Sequence, residues 1–407
     1  MCTHQAVPCV VGSSALRAAR AVLLLAATAG VATAQPYPTP TQNALAGSRV
    51  FGSKGCVRCH AIGGLGGTEG PDLARTPRSR TFYDLGAAMW NHLPRMVQRM
   101  EQLAVEQPRL NEREAGDLIA FLYSQDFFDP PGNPDRGKQI FTNKRCVQCH
   151  QVAGDGGVIG PDLTVLGRFV APIQVATAMW NHGPNMIEAM KAEGIERPSF
   201  TAQELNDLIA YIESEEAAVP SAPLHVLPGL AGKGSRVFVE KGCADCHAVR
   251  GVGGRAAPDL AERGRNTSML GFAAAMWNKA PAMTAAMQSR GIAVPQLAAA
   301  EMADLVGFLY SVKYFAQPGT SEEGRRLVSA KGCVQCHALE GRGGNGAPDL
   351  SGLPDMSTPA AVIAALWNHG VIVGGSVEAR SSWPALMPRD IASVTEFLAA
   401  APRRSRK

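Results

Sequence analysis

The stretch that decides the fold runs from Cys333 to Leu350 and reads CVQCHALEGRGGNGAPDL. Near-copies of this stretch occur three times earlier in the chain, each with two cysteines separated by two residues and followed directly by a histidine. The four first cysteines are Cys56, Cys146, Cys243 and Cys333, so the copies are spaced by 90, 97 and 90 residues. A repeat with so few insertions indicates one folding unit used four times.

Three further residue types recur at fixed distances from the first cysteine of each copy. A glycine lies nine residues before it, a proline fifteen residues after it, and a tryptophan thirty-four residues after it. The glycines are Gly47, Gly137, Gly234 and Gly324. The prolines, each opening a Pro-Asp-Leu triplet, are Pro71, Pro161, Pro258 and Pro348. The tryptophans are Trp90, Trp180, Trp277 and Trp367. The shared offsets predict that all four units have the same local structure.

Each unit ends in an apolar stripe with helical spacing. In the second unit the stripe is Leu205, Leu208, Ile209 and Ile212. A shorter amphipathic segment opens each unit, and its glycine offers no side chain, so two helices can cross closely there. The pattern predicts an opening helix, a Gly-rich loop, a middle helix around the tryptophan and a closing helix, with no strand. The fold class is therefore all-α.

The same offsets predict the organisation of the chain. We expect a signal peptide over 1–34, units over 43–129, 130–216, 234–317 and 318–402, a Pro/Gly/Ala linker over 217–233, and a basic tail over 403–407. The first and third units run into their successors through matching segments, FLYSQDFFDPPGNPDRG and FLYSVKYFAQPGTSEEG. The match indicates that a two-domain unit was duplicated, which gives two halves joined by the linker.

The N-terminus has the pattern of a secretory signal peptide. Arg17 and Arg20 precede the apolar run AVLLLAATAGVA, and the small residues Ala32-Thr33-Ala34 follow. Cleavage after Ala34 would remove two of the ten cysteines, leaving 10 − 2 = 8, and two arginines, lowering the net charge from +4 to +2. A nearly neutral chain gives no indication of a nucleic-acid partner. No other apolar run approaches the length of a membrane span, so we expect an exported, periplasmic chain.

Paired cysteines at this spacing serve three chemistries. A structural zinc site would combine two pairs and leave the adjacent histidine unexplained. A thioredoxin-like redox pair belongs to a βαβ context, which the pattern lacks. Covalent haem attachment uses both cysteines as thioethers and the next histidine as the iron ligand, so it accounts for all three residues. Four copies in register after a leader favour haem.

The chain resembles class I cytochromes c from about Gly47 to Pro402, excluding the linker. The resemblance rests on the CxxCH motifs, on the Pro-Asp-Leu triplets and on Gly-x-x-x-Phe in the opening helices, with Val328 replacing Phe in the fourth unit. It implies four tandem three-helix domains, each wrapped on a covalently attached haem c. The implied thioether residues are Cys56, Cys59, Cys146, Cys149, Cys243, Cys246, Cys333 and Cys336. The implied proximal ligands are His60, His150, His247 and His337, each donating a hydrogen bond to the carbonyl of the triplet proline.

The ligands on the other face of the iron are less strongly indicated. Methionines recur forty residues after the first cysteine (Met96, Met186 and Met283) and again four residues later (Met100, Met190 and Met287). A pair at this spacing is often core packing, but each iron needs a sixth ligand. We favour the earlier set, because NHGPNM resembles the short class I cytochromes, in which methionine follows an Asn-Gly turn. The four tryptophans are expected to pack on the porphyrin, with the indole N–H on a propionate or a carbonyl.

A rival ligand is the histidine two residues after the tryptophan in three units. These histidines are His92, His182 and His369, whereas the third unit has Lys279. The fourth unit also lacks both methionines, since Val373 and Val377 stand in their places. Its sixth ligand is either Met387, which we favour slightly, or His369, or the site is open.

Two strong ligands on a thioether-anchored iron leave no position for substrate, which is typical of an electron carrier. The leading interpretation is an exported tetrahaem cytochrome that passes single electrons between a donor and an acceptor protein, either of which can be membrane-bound. An open fourth haem would instead favour an enzyme that reduces peroxide or another small ligand. A third interpretation is a subunit docked on a membrane redox complex.

Overall fold

A computed structural model of the chain describes most of the four repeat units. The described residues are 40–74, 81–125, 131–164, 172–215, 229–263, 268–315, 319–353, 356–369 and 383–400. The predicted signal peptide, most of the predicted linker, the basic tail and the positions of Val373 and Val377 lie outside them. Among the described helices none is both long and apolar enough to cross a bilayer.

Each of the four domains has an opening, a middle and a closing helix. In domain 1 these are Ala44–Ser53, Phe82–Gln102 and Glu112–Ser124. In domain 2 they are Pro134–Asn143, Pro172–Ala192 and Ala202–Ser214. In domain 3 they are Ala231–Glu240, Met269–Gln288 and Ala299–Ser311. In domain 4 they are Ser321–Ala330, Pro359–Asn368 and Pro388–Ala400. The middle helix of domain 4 has 10 residues, whereas its counterparts have 20 or 21.

Short elements lie between the opening and middle helices. A helical turn starts at the first cysteine of each motif: Cys56–Arg58, Cys146–Gln148, Cys243–Cys246 and Cys333–Gln335. Single turns also occur at Leu260–Arg263 and Leu350–Gly352. Two-residue strands then form antiparallel hairpins: Ala61–Ile62 with Leu65–Gly66, Gln151–Val152 with Asp155–Gly156, Ala248–Val249 with Val252–Gly253, and Ala338–Leu339 with Arg342–Gly343. The expectation of no strand was wrong in this detail, because two residues are too few to show alternation.

The opening and closing helices of each domain cross in close contact at the predicted glycine. A Cβ atom on Gly47 would lie 1.9 Å from the carbonyl oxygen of Asp117 in the closing helix. The equivalent distance from Gly234 to the carbonyl of Asp304 would be 1.8 Å. The Asp117 carboxylate also accepts a hydrogen bond from the Asn43 N–H at 2.7 Å. The glycine therefore permits a backbone approach that any side chain would prevent.

The predicted apolar stripes of the closing helices face the interior. Leu205, Ile209 and Ile212 are buried in domain 2, and Leu208 is half-buried against them. The stripe of domain 1 is buried throughout, and those of domains 3 and 4 are buried with half-buried residues towards their C-terminal ends. Helical spacing in the sequence thus identified the inner face of each closing helix.

The four domains pack in two pairs, and each pair joins one domain from each predicted half. The middle helices of domains 2 and 3 pack on each other, and one apolar core continues through both domains. The closing helix of domain 1 packs on the middle helix of domain 4, and the closing helix of domain 4 packs on the middle helix of domain 1. A second continuous core joins these two domains. The duplication seen in the sequence therefore does not produce two halves that pack separately.

Domains 1 and 3 meet through equivalent tyrosines. The Tyr123 hydroxyl donates to the carbonyl of Tyr310 at 2.9 Å, and the Tyr310 hydroxyl donates to the carbonyl of Tyr123 at 3.1 Å. Their ring centroids are 4.7 Å apart. Both residues lie 67 positions after the first cysteine of their domain. Reciprocal contacts between equivalent residues indicate an approximate two-fold relation between the halves, which also relates the two domain pairs.

Candidate cofactor-binding sites

A single turn of backbone brings the two cysteines and the histidine of each motif together. The His60 N–H donates to the carbonyl of Cys56 at 2.9 Å, and the Cys59 N–H donates to the same carbonyl at 3.2 Å. The second and fourth motifs repeat both bonds within 0.1 Å, and in the third motif the His247 N–H donates to the carbonyl of Cys243 at 2.9 Å. The turn starts after a residue with left-handed backbone, such as Gly55 at φ 77°. The four motifs therefore present the same three side chains in the same local geometry.

The histidine of each motif is oriented by the proline of the Pro-Asp-Leu triplet, as predicted. The Nδ1 atoms of His60, His150, His247 and His337 lie 3.1, 2.9, 2.9 and 2.6 Å from the carbonyl oxygens of Pro71, Pro161, Pro258 and Pro348. A carbonyl only accepts hydrogen bonds, so Nδ1 carries the proton and Nε2 presents its lone pair. Nε2 is therefore the atom that each imidazole offers to a metal.

The residue before the proline keeps space for the imidazole in domains 1 and 2. A Cβ atom on Gly70 would lie 2.4 Å from Cε1 of His60, and one on Gly160 would lie 2.3 Å from Cε1 of His150. Side chains at these positions would displace the ring. These glycines are a second constraint on the orientation of the histidine.

The aspartate of the Pro-Asp-Leu triplet holds the hairpin loop, a role that the sequence reading missed. Asp349 accepts hydrogen bonds from the N–H groups of Glu340, Gly341 and Ser351 and from the Ser351 hydroxyl. The Ser351 hydroxyl, followed by these N–H groups, lowers the pKa of Asp349 to about 2. The equivalent carboxylates bond their own loops in the other domains. The sequence signal for this role was the aspartate of the Pro-Asp-Leu triplet, which recurs in all four units.

A lysine two residues before each motif ties the motif to the closing helix, and this role was also missed. Lys54 donates to the carbonyl of Arg109 at 2.9 Å and pairs with Glu114 at 2.9 Å. The equivalents Lys144, Lys241 and Lys331 each donate to a carbonyl at the same place and pair with a carboxylate of the closing helix. The signal was a lysine at the same offset in all four units.

The first cysteine of each motif is not an activated thiol. Burial raises the pKa of Cys56, Cys146 and Cys243 to about 11, and burial also raises the pKa of Cys333. A reactive cysteine needs a lowered pKa, because the thiolate is the nucleophile. Within the described ranges, no three His, Cys, Asp or Glu side chains are grouped to hold a metal ion. The thiols instead suit conversion to uncharged thioethers.

The four tryptophans form hydrogen bonds between the two domains of each pair. We call these contacts, together with those of the asparagine after each tryptophan, the clamp. In domains 2 and 3, the indole N–H of Trp180 donates to the carbonyl of Pro295 at 2.8 Å, and that of Trp277 donates to the carbonyl of Pro198 at 2.7 Å. In domains 1 and 4, Trp90 bonds Pro384 and Trp367 bonds Pro108 in the same way, each at 2.7 Å. Of the two acceptors that the sequence suggested, the carbonyl is correct and the propionate is not. Packing of the tryptophans on porphyrin stays a prediction.

The asparagine after each tryptophan completes the clamp. Asn278 donates to the carbonyl of Phe200 at 2.8 Å and accepts from the N–H of Phe200 at 3.0 Å. The same two bonds join Asn181 to Leu297, Asn91 to Leu386 and Asn368 to Leu110. Each domain therefore fixes the strand-like segment that precedes the closing helix of its partner.

The methionine pairs lie on the middle helices of domains 1, 2 and 3. Met96 and Met100 are half-buried against the core of domains 1 and 4. Met186, Met190, Met283 and Met287 are half-buried against the core of domains 2 and 3. No turn precedes them, since the helix continues through the Asn-to-Met segment with Pro94, Pro184 and Pro281 inside it. The likeness to an Asn-Gly turn was wrong, and the choice between the two sets stays a prediction.

The histidines after the tryptophans differ between domains. His92 and His182 are exposed, whereas His369 is half-buried. The ring centroids of His369 and His337 are 6.0 Å apart. Met387, the ligand favoured for domain 4, is 60% exposed and directly precedes the closing helix. Val373 and Val377 lie outside the described residues.

These residues fit a covalently attached haem in every domain. The motif turn supplies two thiols and one imidazole, and the proline carbonyl fixes that imidazole with Nε2 presented. A haem held by these residues would supply a one-electron iron couple.

Comparison with protein families gives a direct match to this arrangement. The family model described as cytochrome c matches residues 44–126, 134–216, 231–313 and 321–401. Each matched segment contains one CxxCH motif and one set of three helices. A comparison with curated proteins returned no match.

Proposed function

Because the chain belongs to the cytochrome c family, we propose that it is an exported tetrahaem electron carrier working between two redox proteins. Its four domains carry four covalently attached c-type haems, and it is a multihaem cytochrome of electron transfer. The proposal adds the compartment, the periplasm, and the partners, a donor and an acceptor protein. Either partner can be membrane-bound.

One observation carries the proposal: the four motif histidines have the same orientation and the same partner. Each is held by a proline carbonyl at 2.6 to 3.1 Å. A bound haem supplies a one-electron iron couple, and the protein keeps the imidazole in place during the change of oxidation state. The hydrogen bond from Nδ1 to the carbonyl also makes Nε2 a better electron donor to the metal. Four sites that hold the motif histidine in the same way suit repeated single-electron exchange.

The domain pairing supports electron exchange within the molecule. Domains 2 and 3 share one apolar core, and domains 1 and 4 share another. Tyr123 and Tyr310 join the two pairs. In a carrier whose domains contact one another in this way, electrons pass between the haems of one molecule.

The export part of the proposal rests on the leader sequence, with Arg17 and Arg20 before an apolar run and small residues to Ala34. Cell fractionation followed by haem staining and N-terminal sequencing tests it. We expect the haem-stained chain in the periplasmic fraction, starting at Gln35. A haem-loaded chain in the cytoplasm that retains Met1 would contradict it.

The enzyme alternative rests on the missing methionine pair of domain 4. Carbon monoxide added to the dithionite-reduced protein separates the two functions. A carrier with four six-coordinate haems binds no carbon monoxide, whereas an open fourth haem binds one equivalent per chain. Peroxide-dependent oxidation of the reduced protein, with turnover, would support the enzyme.

A further inference from the structure

Domain 4 departs from the other three where its middle helix ends. The helix is described over Pro359–Asn368, and His369 follows as its C-terminal cap residue. In domains 1 to 3 the middle helix continues for about twelve residues beyond the tryptophan and carries the two methionines. Neither methionine position exists in domain 4, since the sequence has valines there. The fourth haem needs a different residue opposite His337.

His369 lies beside the imidazole that the motif provides. The ring centroids of His337 and His369 are 6.0 Å apart. Two imidazoles bonded through Nε2 to opposite sides of one metal ion, each at about 2 Å, have centroids roughly 6 Å apart. The recorded separation is therefore the one that a shared iron requires.

Both rings use the same nitrogen, Nδ1, on a backbone carbonyl. Nδ1 of His337 is 2.6 Å from the carbonyl of Pro348, and Nδ1 of His369 is 2.6 Å from the carbonyl of Ala365. Each Nδ1 is therefore a donor, and each Nε2 has a lone pair for a metal.

The partner domain helps to hold the His369 ring in place. The Trp90 ring of domain 1 packs edge-on against it, with centroids 6.0 Å apart. Trp90 is itself fixed by its bond to the carbonyl of Pro384 and by stacking on Trp383 at 4.1 Å. The orientation of His369 thus depends on residues of both domains.

The equivalent histidines lack this environment. His92 uses Nδ1 in the same way, on the carbonyl of Ala88 at 2.8 Å, but its side chain is exposed. His182 is exposed as well. Both domains keep their methionine pairs. The histidine is shared by three units, but a half-buried position beside the motif imidazole distinguishes domain 4.

Met387 has a structural role instead. Its N–H donates to the Asp390 carboxylate at 2.9 Å, as the N-cap residues Asn111 and Thr201 do with Glu114 and Glu204. The residue before it, Leu386, is bonded to Asn91 of domain 1. The side chain is 60% exposed. These contacts hold Met387 at the start of the closing helix, so they do not favour the ligand that the sequence suggested.

We propose that His369 is the axial ligand opposite His337, so that the fourth haem has two histidine ligands while the other three keep methionine. Bis-histidine haems have lower potentials than histidine-methionine haems. The fourth haem is then the lowest-potential site of the chain and binds no external ligand. The inference rests on the proposed carrier function to the extent that it requires four assembled haems.

Near-infrared magnetic circular dichroism of the oxidised full-length protein tests the ligand set. We expect the intensity of the histidine-methionine charge-transfer band to correspond to three haems per chain and that of the bis-histidine band to one. In His369→Ala the bis-histidine band is lost, one high-spin haem replaces it, and carbon monoxide binding rises from zero to one per chain. Four histidine-methionine haems, or a high-spin haem in the unchanged protein, would overturn the inference.

Two matched variants keep the test specific. His92→Ala removes the equivalent histidine of domain 1, and Met387→Leu removes the rival ligand. Both are expected to leave the spectrum unchanged, and a bis-histidine band lost in Met387→Leu or in His92→Ala would overturn the assignment. A pyridine haemochrome assay on each sample counts the haems. Four haems without a bis-histidine band refute only this inference, whereas fewer than four refute the proposed function too.

Discussion

Individual backbone contacts determine how each histidine and each helix crossing is placed. A Cβ atom added at Gly47 would overlap the carbonyl of Asp117, so this position has no room for a side chain. The same geometry recurs at Gly137, Gly234 and Gly324. At this scale, single atoms decide whether the opening and closing helices of a domain can cross.

The first prediction compares two glycines of the same helix. Gly47→Ala places a Cβ 1.9 Å from the Asp117 carbonyl, so we expect a loss of about 1–3 kcal/mol in the free energy of unfolding. Gly52→Ala is the control, because nothing lies within 4 Å of its added Cβ. Alanine there should stabilise the helix by about 0.5–1 kcal/mol. Chemical denaturation followed by circular dichroism measures both, and equal effects would contradict the crossing.

A second prediction concerns the carboxylate that holds the loop of domain 4. Hydrogen bonds from Ser351, Gly341 and Glu340 lower the pKa of Asp349 to about 2 in the folded state, against about 3.9 in the unfolded state. A lowered folded-state pKa means that its stabilisation is present above about pH 4 and is lost as the pH falls towards 2.

The variant Asp349→Asn should therefore lower the Tm at neutral pH by a few degrees. The difference from the unchanged protein should shrink as the pH falls from about 4 to about 2. Glu193→Gln, at an exposed carboxylate, is the control and should change neither the Tm at neutral pH nor the dependence of the Tm on pH. A constant Tm difference across this pH range would show that the charge of Asp349 does not hold the loop.

At the scale of helices, an internal proline removes one hydrogen bond of the middle helix, and the partner domain bonds to the carbonyl concerned. A proline inside the helix cannot donate to the carbonyl four residues earlier, which in domain 1 is the carbonyl of Trp90. The Trp383 indole N–H donates to that carbonyl at 3.0 Å. In domain 3, Arg197 of domain 2 donates to the equivalent carbonyl of Trp277. The carbonyl that lacks its helical donor because of the proline is thus hydrogen-bonded by a side chain of the partner domain.

The third prediction removes one arm of the clamp between domains 2 and 3. Asn278→Ala loses the two hydrogen bonds to the buried Phe200 backbone, so we expect about 1–3 kcal/mol lower stability. Hydrogen exchange should become faster at the Phe200 amide. Lys279→Ala, at the exposed neighbouring residue, should change neither quantity. Unchanged protection of Phe200 would contradict the clamp.

The sequence predicted what lies within each domain better than what lies between domains. Fixed offsets and helical spacing gave the motif histidines, their prolines, the glycine crossings and the stripe around Leu205, because each depends on residues of one unit. The pairing of domains was missed, since the Trp and Asn side chains bond backbone carbonyls, which every residue has. The tryptophans were assigned to the haem, and the asparagine that follows each of them was given no role. The aspartate of each Pro-Asp-Leu triplet and the lysine two residues before each motif were visible in the sequence as repeated residues. The groups that they bind were not evident from it.

At the scale of the molecule, the two domain pairs connect the halves of the chain that the linker separates. Domain 2 packs on domain 3, and domain 1 packs on domain 4. The linker segment 217–228, which lies outside the described residues, is therefore not the only connection between the halves.

A protease site inserted into 217–228 gives the fourth prediction. After cleavage, the fragments ending and starting there should co-elute in size-exclusion chromatography at the position of the intact chain, because both interfaces persist. Combining the cut with Asn278→Ala and Asn91→Ala should weaken the association. Two separate peaks from the cut protein without further changes would show that the halves are independent.

The central claim is that this chain is a carrier of four single electrons, and spectroelectrochemical titration of the mature protein tests it most directly. We predict reversible uptake of four electrons per chain, with the fourth haem reduced at the lowest potential and no carbon monoxide bound by the reduced protein. Fewer than four electrons per chain, or a reduced protein that binds carbon monoxide, would contradict the account.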